Sequence, residues 1–366
     1  MERRFFLKSL GVLGCSAAAH PWMTTLTLAQ GTPAMGDKRL VVEILRGAMD
    51  GLDVVRPVGD RAFAAARPNL SGGVATDLDG FFALHDNLSG LMPLWQAGEL
   101  GVVHATSTPY RDKRSHFDGQ DLLEAGTGMD VAPGAARDGW LNRLLQAVPG
   151  ITSETAYAVG REALPILGGP ADVRNWAPDQ DLVLSAAGRV LLDHVYHDDA
   201  LFRDNVEEAF ALSGSDPAAG GDGDMIVDFA AERLRGDTRI AAFSQSGWDT
   251  HKGQARGITK PLEQLQRTIL RMKEQLGPEV WGKTVVMAMT EFGRTVRENG
   301  SAGTDHGTGG VMLVAGGAVK GDLMPTSDVR AWAAHAMRGL YGLDRGVLEA
   351  SVFSGLDMGD DPGLLL

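Results

Sequence analysis

The chain has 366 residues, 44% of them hydrophobic, and a formal net charge of -13. An acidic chain without a Lys/Arg cluster disfavours unassisted binding to DNA, RNA or anionic lipid, so no nucleic-acid partner is expected. Its one cysteine, Cys15, falls in the N-terminal leader, which removes disulfides, a thiolate nucleophile and thiolate metal ligands from the remainder.

The leader comes first. Arg3-Arg4-Phe5-Phe6-Leu7-Lys8 reads as a paired-arginine address for the Tat translocase, which exports proteins already folded, often with a cofactor loaded. The apolar stretch from Ser9 to Ala29 is broken by His20-Pro21, which argues against a membrane span, so no transmembrane helix is expected in the mature chain. Small residues at Thr27-Leu28-Ala29 suit cleavage before Gln30, while Val12-Leu13-Gly14-Cys15 resembles a lipoprotein box. The expected organisation is a signal segment over 1–29 and a single domain over 30–366, placed in the periplasm or outside the cell.

Strand-length apolar runs follow at Leu40–Leu45, Leu100–Ala105, Arg239–Ser244, Thr284–Met289 and Val311–Ala315. Helical spacing appears over Phe117–Glu124, Trp140–Val148, Val190–Leu212, Pro261–Leu276 and Val329–Tyr341. Gly126–Asp138 and Ser213–Asp224 have loop composition. Strands alternating with helices predict an α/β fold, a mostly parallel sheet flanked by helices on both faces. Ligands of such sheets bind at the carboxyl ends of strands.

Each run has a polar cluster close by. Asp50 and Asp53 follow the first, and Arg114-Ser115-His116 comes some way after the second. Trp248-Asp249-Thr250-His251 follows the third, Glu291-Phe292-Gly293-Arg294 the fourth, and Thr304-Asp305-His306-Gly307 precedes the fifth. Imidazoles and carboxylates without thiolate suit Zn²⁺, Mn²⁺, Fe or Mg²⁺ rather than Cu(I). On an extended segment the one-residue spacer puts Asp249 and His251 on one face, within reach of one ion. Each also has a plainer reading, a turn cap for Asp249 and a loop histidine for His251. Gly303 and Gly307 would let the chain turn sharply around His306. Ser115 is the candidate nucleophile at a helix start, with Arg111, Lys113 or Arg114 to hold an anionic group; its plainer reading is an N-cap. Glu291, at a buried strand tip, needs a cation such as Arg294 or Arg297. Trp140 and Trp248 are expected to wall the site or pack the core, and His104, inside a strand run, to be a satisfied core histidine.

Taken in order, Leu45-Arg46-Gly47-Ala48-Met49-Asp50-Gly51-Leu52-Asp53, Arg114-Ser115-His116-Phe117, Gly139-Trp140-Leu141-Asn142-Arg143, Gly247-Trp248-Asp249-Thr250-His251, Thr290-Glu291-Phe292-Gly293-Arg294-Thr295 and Gly303-Thr304-Asp305-His306-Gly307 resemble the bacterial family labelled domain of unknown function 1501. That family is placed in the alkaline-phosphatase/sulfatase superfamily and has no assigned reaction. The resemblance implies an exported, metal-dependent hydrolase of phosphate or sulfate esters acting on a small-molecule or glycan ester. The implied cofactor is a divalent metal, Zn²⁺ first, with Mn²⁺, Mg²⁺ or Ca²⁺ as alternatives. It implies Ser115 as nucleophile, with Arg114 and His116 beside it in the catalytic group. Asp50 and Glu291, with Ser115 as a further candidate, would serve a second metal, and Asp249, His251 and His306 a first; a single-metal version with water as nucleophile is equally allowed. An alternative alignment takes Asp305-His306 as the superfamily's Asp-His pair, which adds Asp305 to the implied ligands. Phe292 departs from the superfamily pattern, which leaves open a catalytically degraded member acting as an envelope-assembly or carbohydrate-binding partner.

Overall fold

The structure, a computed structural model, describes residues 35–111, 115–130, 138–178, 222–324 and 328–366. The leader with Cys15, Arg114, and the helix expected over 190–212 lie outside the described residues.

Eleven strands are described in chain order: β1 (Arg39–Leu45), β2 (Val55–Arg56), β3 (Ala75–Asp77), β4 (Ala83–His85), β5 (Leu100–Thr106), β6 (Ala156–Val159), β7 (Arg174–Trp176), β8 (Ile240–Gln245), β9 (Thr284–Met289), β10 (Gly310–Ala315) and β11 (Leu323–Met324). Eight of them form one sheet in the order β11-β5-β10-β9-β1-β8-β6-β7; β2, β4 and β3 form a small second sheet. All pairings in the main sheet are parallel except those of β10, which runs antiparallel to both β5 and β9.

The five runs legible in the sequence are the strands from β1 to β10 that carry the interior, buried on both faces because helices cover both. Alternate residues of β1 enter opposite cores. Leu40, Val42 and Ile44 pack with Trp140, Leu144, Trp332 and Met337. Val41 and Leu45 pack with Leu262, Leu265, Ile269 and Met272 of the helix Thr259–Trp281. Glu43 is the exception in this strand: its carboxyl is buried without a charge partner, Oε2 has no hydrogen bond, and desolvation pushes its pKa up to about 8.

The helix Val329–Tyr341 has the bounds its pattern predicts, because Asp328 caps its start and Gly342, at φ 67°, ends it in the left-handed region. The helix predicted over Pro261–Leu276 is longer, Thr259–Trp281, yet its regular part stops at Gly277 (φ 68°), ahead of Pro278. Asp222–Arg235 is a helix, which corrects the loop reading at 222–224. β6, β7, β11 and the small sheet are too short for periodicity to reveal them.

The antiparallel β10 decides where the site forms. Gly310 at its start pairs with Thr106 at the end of β5. The segment entering β10 therefore shares an edge with the segments leaving β1, β5, β8 and β9. Five polar clusters reach one rim for this reason.

Candidate metal centre

Three close backbone approaches assemble the rim. A Cβ at Gly47, whose φ is 116°, would lie 2.6 Å from the Asp249 nitrogen, so only glycine lets the turn after β1 meet the turn after β8. Gly303 and Gly307 keep negative φ; they are needed for room. A Cβ at Gly303 would stand 2.4 Å from the His251 carbonyl, and one at Gly307 2.3 Å from the Arg294 carbonyl oxygen. An antiparallel bridge between Arg294 and His306 fixes the loop that carries His306 against the segment after β9.

On this scaffold three imidazoles surround one carboxylate oxygen. Asp249 Oδ1 lies 3.5 Å from His116 Nε2, 3.1 Å from His251 Nε2 and 3.7 Å from His306 Nε2. The His251 and His306 Nε2 atoms are 3.0 Å apart. His116, Asp249 and His306 offer ligand atoms within 4.8 Å of one another. Phe292 stacks on the His116 ring, centroids 5.2 Å apart, and lies 5.1 Å from the His306 ring, an apolar floor to the cluster.

Outer partners set which nitrogen faces inward. His116 Nδ1 lies 2.8 Å from Glu291 Oε1, which also accepts from Gly47 N and Gln120 Nε2. Burial pushes the Glu291 carboxyl up, but the bonds from His116, the backbone and Gln120 outweigh it and hold it below its usual range. The Glu291 bond in turn lifts His116 above the ordinary imidazole value. In the neutral imidazole a proton on Nδ1 facing Glu291 leaves the Nε2 lone pair pointing inward, where that atom is buried and has no hydrogen-bond partner. His251 Nδ1 meets Asp305 Oδ1 at 3.2 Å, and Asn299 Nδ2 donates to the same oxygen. Asp249 is held by Arg294 Nη2 at 2.5 Å; burial raises its carboxyl, and the guanidinium more than reverses this.

This donor set fits a divalent cation. Nitrogen and oxygen ligands about 2.0–2.1 Å from a tetrahedral Zn²⁺ stand roughly 3.3–3.4 Å apart, and the four distances around Asp249 and His306 bracket that value. Two ring nitrogens 3.0 Å apart need a proton or a cation between them. Carboxylates on the Nδ1 atoms are the usual outer support of metal-binding histidines.

The structure brings together Asp249, His251 and His306 from the first-metal expectation and adds His116, which the sequence reading placed in the catalytic group. Glu291 and Asp305 sit one step out, on His116 and His251, rather than facing the centre. Glu291 takes its support from His116, and Arg294 goes to Asp249 instead. Asp50 stands apart: Arg67, wholly buried, grips both its oxygens at 2.6 and 3.0 Å, and Gln254 donates to Oδ2 at 2.5 Å. Nothing in the sequence ties Arg67 to Asp50, since the pairing is tertiary. Ser115 is the N-cap of the helix His116–Ala125, its Oγ accepting from Asp118 N at 3.3 Å, directly beside His116. Trp140 and Trp248 are core residues, and His104 Nε2 bonds the Val55 carbonyl away from the cluster.

The family described as "Protein of unknown function (DUF1501)" matches residues 104–328. No curated protein matches the chain. Among solved structures, the chain is similar to the alkaline phosphatase from the Antarctic bacterium TAB5, at 12% identity over 86% of this chain and 99% of that one, with a TM-score of 0.42. It is similar to a protein in the alkaline phosphatase superfamily from Vibrio parahaemolyticus, at 14% identity over 89% and 72%, with a TM-score of 0.43. A third likeness is to the lipoteichoic acid synthase LtaP from Listeria monocytogenes, at 9% identity over 88% and 77%, with a TM-score of 0.44.

Proposed function

We propose that this chain, which belongs to the DUF1501 family, is an exported metal-dependent hydrolase of phosphate or sulfate esters. The observation that carries the metal is the buried Nε2 of His116, which has no hydrogen bond and lies 3.5 Å from Asp249 beside the Nε2 atoms of His251 and His306. His116, Asp249, His251 and His306 would hold the ion. When bound, a divalent ion polarises an ester oxygen and stabilises the charge that develops on it.

The chain's own residues supply the rest. Ser115 is the neighbour of a ligand and the N-cap of a ten-residue helix, where free N–H groups favour a negatively charged group. Its Oγ attacks the phosphorus or sulfur centre, its proton passes to the leaving alkoxide as that bond breaks, and water then hydrolyses the serine ester, restoring the hydroxyl and releasing phosphate or sulfate. Arg294 keeps Asp249 ionised, and Glu291 keeps His116 in the tautomer that faces the centre. Export rests on the paired arginines of the leader. Among the described residues no helix is long and apolar enough to cross a membrane.

The test is elemental analysis of natively exported protein, followed by assays with aryl phosphates, phosphodiesters and sulfates. Stoichiometric metal with turnover lost in Ser115→Ala supports the reading. Turnover retained in that variant makes water the direct nucleophile and Ser115 a cap. A second reading, a non-catalytic envelope-assembly or carbohydrate-binding partner, is favoured by one observation: Arg67 neutralises Asp50, the carboxylate that the family resemblance assigns to a second metal. Metal-free protein whose stability is indifferent to chelator would decide for it.

A further inference from the structure

Beneath the imidazole cluster lies a polar network in which every position on one side chain is used. Gln254, with no exposed surface, donates from Nε2 to Asp50 Oδ2 at 2.5 Å and to Asp53 Oδ2 at 2.8 Å. Its Oε1 accepts from Thr250 Oγ1 at 2.9 Å and Thr304 Oγ1 at 2.7 Å. A primary amide has two donor hydrogens and two acceptor lone pairs, and all four are engaged. The two carboxylates are anchored in turn, Asp50 by Arg67 and Asp53 by Arg56 at 2.7 Å.

The hydroxyls that Gln254 accepts belong to the ligand-bearing loops. Thr250 lies between Asp249 and His251, and Thr304 immediately precedes Asp305-His306. Backbone bonds run alongside: Gln254 N donates to Ala302 O at 2.8 Å, and Thr304 N to Thr250 O at 3.2 Å. The distance between the His251 and His306 nitrogens is thus set by two loops that meet on one buried amide.

We infer that Gln254 is the positioning residue of the metal centre, fixing the loops 249–251 and 304–306 to the paired carboxylates Asp50 and Asp53. The inference rests on the metal reading above. An amide is required and a carboxylate of the same shape is not equivalent. Glu at 254 would face Asp50 and Asp53 with a third anion and lose both donors. Met fills similar space and makes none of the four bonds.

The experiment titrates the metal-free full chain with Co²⁺, read by visible absorption, in parallel with chemical denaturation of the same metal-free samples. Gln254→Met and Gln254→Glu are compared with Leu265→Ala, a core truncation in the helix Thr259–Trp281. The expected result is Co²⁺ affinity about 10–100-fold weaker in both Gln254 variants, the range for loss of an outer-shell partner. Leu265→Ala should lower stability and leave affinity unchanged, which separates positioning from general softening. If Gln254→Met does not fold, Thr304→Val removes one acceptor bond and is read the same way. Wild-type Co²⁺ affinity in the folded variants overturns this inference alone. Failure of the unaltered protein to bind Co²⁺ overturns the metal reading and this inference with it.

Discussion

Two polar centres occupy the same edge of the sheet and differ in whether every polar atom has its hydrogen bond. Around Asp50 and Asp53, two buried arginines and one glutamine match both carboxylates, and the amide between them has no capacity left. Around Asp249, three imidazoles turn nitrogens toward one oxygen, and His116 Nε2 has no hydrogen bond although it is buried. Both centres read alike in sequence, as carboxylates after strands. A saturated network holds loops in place, while a cluster with one buried imidazole nitrogen left without a hydrogen bond leaves a position for a cation. Burial separates them too: Asp50 and Asp53 are buried, whereas Asp249 stands exposed to solvent.

The sharpest way to break this contrast is His306→Ala. It should abolish stoichiometric metal binding by elemental analysis, whereas metal retained in full would mean the imidazoles do not form one centre. Arg67→Ala acts on the other side. It strands Asp50 as a buried, unbalanced charge and should cost about 3–5 kcal/mol in urea denaturation. A loss under about 1 kcal/mol would show that Asp50 has another counter-charge.

Glu43 tests what a buried carboxylate does with neither an arginine nor a cation. Its folded pKa is raised to about 8, so it is protonated in the native state, while the unfolded chain ionises it above 4.5. Its contribution to stability is therefore complete below 4.5 and declines as pH rises towards 8. The wild type should lose about 1.4 kcal/mol per pH unit across that window relative to Glu43→Gln, measured as denaturation against pH. Parallel curves would mean that the carboxyl has an ordinary pKa. The smallest expected effect belongs to Glu291→Gln, which keeps the shape of the His116 partner and removes its charge. Metal affinity by competition with a chromophoric chelator should fall about 10–100-fold. No change would make Glu291 a structural acceptor only.

The parts of this protein legible without coordinates are those with a local cause. Apolar runs long enough to be buried on both faces specify β1, β5, β8, β9 and β10, and Asp328 with Gly342 bounds the helix Val329–Tyr341. The spacing of Asp249 and His251 and the turn-rich surroundings of His306 carry the candidate ligands for the same reason. Tertiary structure alone decided the roles. The reversed direction of β10 is invisible in its own residues, yet it brings His306 to the rim. Arg67 lies 17 residues from Asp50 and Glu291 lies 175 from His116. One pairing withdraws a candidate ligand, and the other turns a candidate ligand into the support of a new candidate. Hydrogen-bond saturation depends on which partners arrive in space, and no local pattern of residue types encodes that.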